Sequence, residues 1–248
     1  MDERPQILTL KALSALLSYP QEETRTAFLQ MRDALDREQL CVGQARRALD
    51  ALLDEFAEGD LYELQERYVE LFDRSRSLSL HIFEHVHGES RDRGQAMIDL
   101  KALYENEGME IAANELPDFL PLFLEYCATR PLASARELLS QPAHVFAALA
   151  ERLRKRGSPF EAVIRAILAI AAAEPRKEDL DAILSETEPD PTDLAALDAA
   201  WEEEAVTFGP NAQTSNGGCG SDALAARMRH AKRAVPTTDN PLRSGGLS

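Results

Sequence analysis

The sequence predicts an all-α protein, a compact single-domain bundle of about nine helices followed by an acidic and then basic flexible C-terminal tail. Three observations carry this. Apolar residues recur at three- and four-residue spacing through most of the first 173 positions. Several prolines and glycines, such as Pro20, Gly59 and Gly108, fall where these runs end. No segment alternates with the period of a strand between turn pairs.

The elements follow in order. Ile7, Leu10, Leu13, Leu16 and Leu17 mark the first helix, which Tyr19-Pro20 stops. Phe28, Met31 and Leu35 mark the second. Val42, Ala45, Leu49, Leu52, Leu53 and Phe56 mark the third, ended near Gly59. Asp60 is placed to cap the fourth, with Glu63 three residues on and Leu61, Leu64, Tyr68, Leu71 and Phe72 along it. Residues 75–90, rich in Ser and His, read as a loop with room for one short helix. A helix from Asp92 to Glu107 ends at Gly108. Further helices are expected from Pro117 to Thr129, from Pro131 to Leu139 and from Gln141 to Arg156. The last opens at Ser158-Pro159, with Ser158 as its cap, and runs to Ala173.

The composition then shifts. Residues 174–208 are acidic, with two short helices expected at 177–184 and 192–206, the second holding Trp201. Residues 209–248 are rich in Gly, Ser, Asn and Pro and carry Arg227, Arg229, Lys232 and Arg233. That tail has too little apolar surface to repay ordering, so disorder is the expectation. A basic helix at 223–231 that folds on a partner is the alternative.

The 248 residues hold 27 Lys+Arg against 43 Asp+Glu, a formal charge of −16. This excludes a nucleic-acid binder, which needs a basic face, and docking on anionic lipid. It suits either a soluble acidic surface or a basic partner. Cys41, Cys127 and Cys219 are widely spaced and form no CxxC pair, which fits a reducing cytoplasm without a disulfide framework. The start of the chain lacks a secretory pattern, and its most apolar stretch, 162–173, is too short to span a bilayer.

His81, Glu84 and His85 spell H-x-x-E-H, the inverted zincin pattern. On a helix the two imidazoles would share a face, with Glu84 as general base, so a small metal-dependent hydrolase is the alternative function. No distant third ligand stands out, and no catalytic, cofactor-binding or metal residue is assigned. The other reading is a loop lining a binding surface, where Phe83, His85 and His87 alternate with Ile82, Glu84 and Val86. Glu115 and Asp118 flank Pro117 and read either as acids at the positive end of a helix or as partners for a bound cation.

Residues 77–97, Ser-Leu-Ser-Leu-His-Ile-Phe-Glu-His-Val-His-Gly-Glu-Ser-Arg-Asp-Arg-Gly-Gln-Ala-Met, closely resemble the signature of the NarJ family of respiratory nitrate reductase assembly chaperones. Tyr68-Val69-Glu70-Leu71-Phe72-Asp73 upstream, Tyr104 before Gly108, and Glu115-Leu116-Pro117-Asp118 match as well. The resemblance covers roughly residues 1–173 and places the chain with the TorD and DmsD maturation chaperones. It departs at Phe119, where the wider family's E-x-x-D-H pattern has histidine.

The resemblance implies a cytoplasmic chaperone without a cofactor of its own. Such a chaperone binds the basic N-terminal segment of the apo nitrate reductase catalytic subunit. It holds the client until molybdenum cofactor and iron–sulfur centres are inserted, and it is no part of the final enzyme. Molybdenum cofactor biosynthesis proteins are further partners. Candidate client-binding residues are Tyr68 and Phe72 as groove wall or core, and Phe83, His85 and His87 as the adjoining loop. Glu84, Glu115 and Asp118 are candidate partners for peptide cations, and Arg91 and Arg93 bind or brace the loop through Asp92 or Asp99.

Overall fold

A computed structural model describes residues 6–74, 76–87, 91–111 and 115–185. Twelve α-helices, a one-turn π-helix and a one-turn 3-10 helix carry these residues, so the fold is all-α as expected. The helix count exceeds the expected nine partly because α2 (Glu22–Thr26) and α6 (Glu84–His87) are too short to leave a periodic apolar pattern.

The first helix, α1 (Leu8–Leu16), buries Leu10, Leu13 and Leu16. Its N-terminus is closed by Glu38, whose carboxylate accepts from the Leu8 and Thr9 amides at 2.8 Å each. Glu38 is the last residue of α3 (Phe28–Glu38), so the cap also joins the two helices. α4 (Gly43–Glu58) turns Leu49, Leu52, Leu53 and Phe56 inward. α5 (Leu61–Tyr68) starts as the sequence predicts, with the Asp60 carboxylate accepting from the Tyr62 and Glu63 amides.

After Tyr68 the expected helix changes pitch. Val69–Asp73 form a π-helical turn in which the Arg74 amide donates to the Val69 carbonyl at 3.1 Å. A 3-10 turn, Arg76–Leu78, follows, and then α6 and α7 (Arg91–Asn106). Gly108 takes φ +80°, the left-handed conformation that ends a helix and that a side chain would strain.

α8 (Leu120–Ala128) lies against α1. The Ser14 hydroxyl donates to the Pro121 carbonyl at 2.8 Å, and the Ile7 amide to the Ala128 carbonyl at 2.8 Å. α9 (Leu132–Ser140), α10 (Ala143–Lys155) and α11 (Glu161–Ala171) complete the bundle. α11 sits at its centre, with Ile164, Ile167 and Ile170 wholly buried and α4, α9 and α10 around it. Removing those side chains from water drives the assembly at about 25 cal/mol per Å².

Three expected helix starts are corrected. The helix placed at Pro117 begins at Leu120, because residues 116–119 form a turn closed by the Phe119 amide on the Leu116 carbonyl. The one placed at Gln141 begins at Ala143, after Pro142, whose carbonyl receives the Val145 and Phe146 amides. Ser158 does not cap α11. Its carbonyl closes a turn with the Glu161 amide, and its hydroxyl is buried without a hydrogen-bond partner.

The expected helix at 177–184 is present as α12 (Lys177–Ser185). It packs on α10 through buried Ile183, whose carbonyl accepts from the buried Arg152 guanidinium at 2.7 Å. The expected helix at 192–206 and the basic stretch at 223–231 lie outside the described residues. Cys41 and Cys127 are buried and free, and burial pushes the Cys41 thiol up to about 11, so neither sulfur is activated. No helix among the described residues is long and apolar enough to cross a membrane.

Candidate functional site

The His-rich segment is held by the segment before α8. Residues 80–82 and 118–120 run antiparallel in an isolated bridge between His81 and Phe119. The Ile82 amide donates to the Asp118 carbonyl at 3.0 Å, and the Leu120 amide to the Leu80 carbonyl at 2.8 Å. The Asp118 side chain completes the junction. One carboxylate oxygen lies 3.1 Å from His81 Nδ1, and the other accepts from the Phe83 amide at 3.1 Å.

Asp118 is wholly buried. Its carboxylate is turned to the His81–Phe83 segment and makes no cap bond to α8. A buried carboxylate is retained because its oxygens are satisfied by specific donors. Its hydrogen bond is the main reason the His81 imidazole is more basic than usual, working against desolvation. Phe119 stacks at a tilt on the His81 ring, 5.5 Å between centroids. It covers the imidazole on the side of the bridge.

Further contacts fix the segment in place. The His81 amide donates to Ser79 Oγ at 3.2 Å, and His85 Nε2 lies 2.8 Å from the Ser79 carbonyl. Tyr104, fully buried in α7, donates to the Pro117 carbonyl at 2.9 Å and so fixes the turn that carries Asp118. Arg93 on α7 pairs with Glu84 on α6 at 3.0 Å, both about one-fifth exposed. Burial would raise the Glu84 pKa, but its hydrogen bond with Ser79 and the charges of Arg93 and His81 outweigh that and lower it.

These elements enclose an open cleft of about 460 Å³, lined by Phe72 and Asp73 of the π-turn, Arg74, Arg76, Ser79, His81, Glu84 and Arg93. Arg74 and Arg76 are exposed at its mouth. The wall thus mixes two carboxylates with three guanidinium groups. It can pair with cations and also donate to carbonyl or carboxylate groups, as an extended polar segment of chain presents both.

Several sequence-predicted residues take other roles. Tyr68, Phe72 and Phe83 are buried, the first two matching the core alternative stated for them. Tyr68 donates to the Leu17 carbonyl at 3.0 Å and packs on Tyr19 and Phe72. Phe83 is held under the loop, its ring meeting His87 edge-on at 5.6 Å. Phe72 still borders the cleft with its edge. Glu84 and Arg93 line the cleft, whereas Glu115 is exposed and His85 and His87 are half-buried outside its lining. Arg91 opens α7.

Asp73, Arg74, Arg76 and Ser79 were not singled out from the sequence. The signal for the arginines was a pair of cations in a strongly acidic chain. The hydrolase alternative fails on geometry. His81 sits in the extended bridge with Nδ1 toward Asp118, while His85 lies on α6 with Nε2 toward Ser79. Among the described residues no three His, Cys, Asp or Glu side chains gather as metal ligands.

Comparison with known proteins points to one family. The family model described as nitrate reductase delta subunit matches residues 22–164, which include both halves of the bridge. The chain is 37% identical over 240 residues to the nitrate reductase molybdenum cofactor assembly chaperone NarJ of Escherichia coli (strain K12), covering 97% of this chain and 99% of that protein. It is 40% identical over 186 residues to the probable assembly chaperone NarW of the same organism, covering 75% and 79%. A probable NarJ of Bacillus subtilis (strain 168) is 34% identical over 172 residues, covering 68% and 91%.

Proposed function

The chain belongs to the nitrate reductase delta subunit family, and we propose on that premise that it is an assembly chaperone for nitrate reductase, acting while the molybdenum cofactor is installed. Its work is binding rather than catalysis. The client is the apo catalytic subunit, and the segment grasped is its basic N-terminus. The chaperone holds that subunit in the cytoplasm, competent for molybdenum cofactor and iron–sulfur insertion, and leaves before the enzyme is complete. Molybdenum cofactor biosynthesis proteins are the partners that deliver to the held client.

The observation that carries the reading is the cleft beside the His81–Phe119 bridge. Its lining comes from residues 72–93, and the buried Asp118 carboxylate fixes the His81 end of that stretch from 37 residues away. Asp73 and Glu84 meet peptide cations, Arg74 and Arg76 meet its carbonyl or acidic groups, and the half-buried His85 and His87 flank the path. Arg91, which opens α7, and exposed Glu115 are further candidates for client contact. Charges there set the on-rate and specificity, and apolar anchors supply most of the affinity.

The test is calorimetric titration with a synthetic peptide from the N-terminus of the reductase catalytic subunit, beside a scrambled version. Saturable one-to-one binding of the native sequence is expected. Asp73→Lys should weaken it about tenfold or more, the cost of losing one charge-assisted contact of roughly 1.5–3 kcal/mol. Equal binding of the scrambled peptide overturns the client reading. Full binding by Asp73→Lys and Arg74→Glu proteins moves the client off this cleft.

A further inference from the structure

A second groove lies away from the bridge, between α4, the end of α10 and the start of α11. It measures about 670 Å³ and is floored by Ala45, Ala48 and Ala51 of α4 with Pro159 and Ala162, while Arg154 and Arg165 stand at its edge. Ala48 and Ala51 are exposed, so the floor is apolar surface open to water. Small side chains on a helix face let another helix approach closely.

We propose that this groove is the docking site for the chain's own acidic segment, residues 193–206. Three observations point to that occupant. The first is where the described chain ends. Asp179 lies near His144, and Ile183 near Arg152, so α12 runs alongside α10 in the same direction. It delivers residue 185 to the end of α10 where Arg154 enters the groove. Residues 186–192 then span up to roughly 25 Å at 3.3–3.6 Å per residue. That is enough to pass over α10, whose diameter with side chains is about 10–12 Å.

The second is pattern. Leu194, Leu197 and Trp201 fall at helical spacing and place one apolar stripe on the segment. The third is charge. Asp193, Asp198, Glu202, Glu203 and Glu204 flank that stripe, and Arg154 and Arg165 offer them opposite charge at a groove whose one acid is Glu161. The Arg154–Glu151 and Arg165–Glu161 pairs are short-range surface pairs that exchange partners at little cost.

Trp201 is the only tryptophan of the chain, so its fluorescence reports on the segment alone. In the full-length native protein its emission should lie to the blue of its position in denaturant and resist acrylamide. Ala48→Glu, an exposed change that keeps helix propensity, should move the emission to the red and raise the quenching constant severalfold, with unchanged circular dichroism. Arg165→Glu should do the same. Emission at the denatured position in the native wild type overturns the proposal, as does a blue-shifted band that neither variant moves. A blue shift that fades on dilution assigns the groove to a second copy of the chain and also overturns it.

Discussion

Replacing Asp118 with alanine removes both bonds that hold the His81–Phe83 turn, and the structure sets the size of the effect. The lost acceptors face His81 Nδ1 and the buried Phe83 amide, each at 3.1 Å. Hydrogen bonds with an ionised partner contribute about 1.5–3 kcal/mol apiece, so the sum is about 3–6 kcal/mol. For a domain of this size that corresponds to a fall in Tm of about 6–24 °C. At an m-value of about 2 kcal/mol/M the urea midpoint falls by about 1.5–3 M. Asp118→Asn keeps an acceptor for the Phe83 amide, so it should cost about 1–2 kcal/mol. The assay is urea unfolding followed by far-ultraviolet circular dichroism, with thermal melts alongside. An Asp118→Ala protein within about 1 kcal/mol of wild type refutes the view that this carboxylate fixes the loop.

Four further outcomes are measurable, the first two at the same junction. Tyr104→Phe deletes the hydroxyl bonded to the Pro117 carbonyl and should lower stability by about 0.5–1.5 kcal/mol in the same unfolding assay. The His81 pKa is raised in the folded protein, so its contribution is fully present below about pH 6.5 and is lost as pH rises through the folded value. The stability advantage of wild type over Asp118→Asn should therefore shrink from mildly acidic to mildly basic buffer, and a constant gap would contradict the pairing. His144 is shifted down, by burial above all, so its contribution is present above about pH 6.5 and is lost as pH falls through its folded value. His144→Gln should accordingly flatten the acid limb of the stability profile. Arg152→Met removes the donor to the Ser77 and Ile183 carbonyls, and limited proteolysis should then cut next to α12 at least tenfold faster, the factor for each 1.4 kcal/mol lost.

Most of the scaffold was legible because burial imposes a period. Leu10, Leu13 and Leu16, or Leu49, Leu52, Leu53 and Phe56, could lie on one side only of a helix. Local signals were also read correctly where one short side chain decides a terminus, as Asp60 does before α5. The π-turn escaped because five residues are too few to show a change of period. Ser158 misled because a Ser-Pro pair fits a cap or a turn equally well, and packing of buried Phe160 selects the turn. The partners of Asp118 were out of reach for a deeper reason. Acids near a proline and a helix start have a ready local explanation, whereas its true partners are 35 and 37 residues upstream. Phe83 looked like part of a polar strip, because alternation with histidines does not tell which side of the loop the bundle will cover. Arg74 and Arg76 needed the π-turn to be seen before they could be placed at a cleft.

The distance in sequence between the two halves of the bridge gives the molecule a timetable. His81 and its buried carboxylate are 37 residues apart. A ribosome adding about 5–20 residues per second needs roughly 2–7 s to cross that gap. α8, which carries the second half into place, must also clear the exit tunnel before it can close on α1. Until then the histidine loop lacks the carboxylate that holds it. The loop that borders the cleft is therefore fixed only once α8 is in place against α1, late in the making of the bundle.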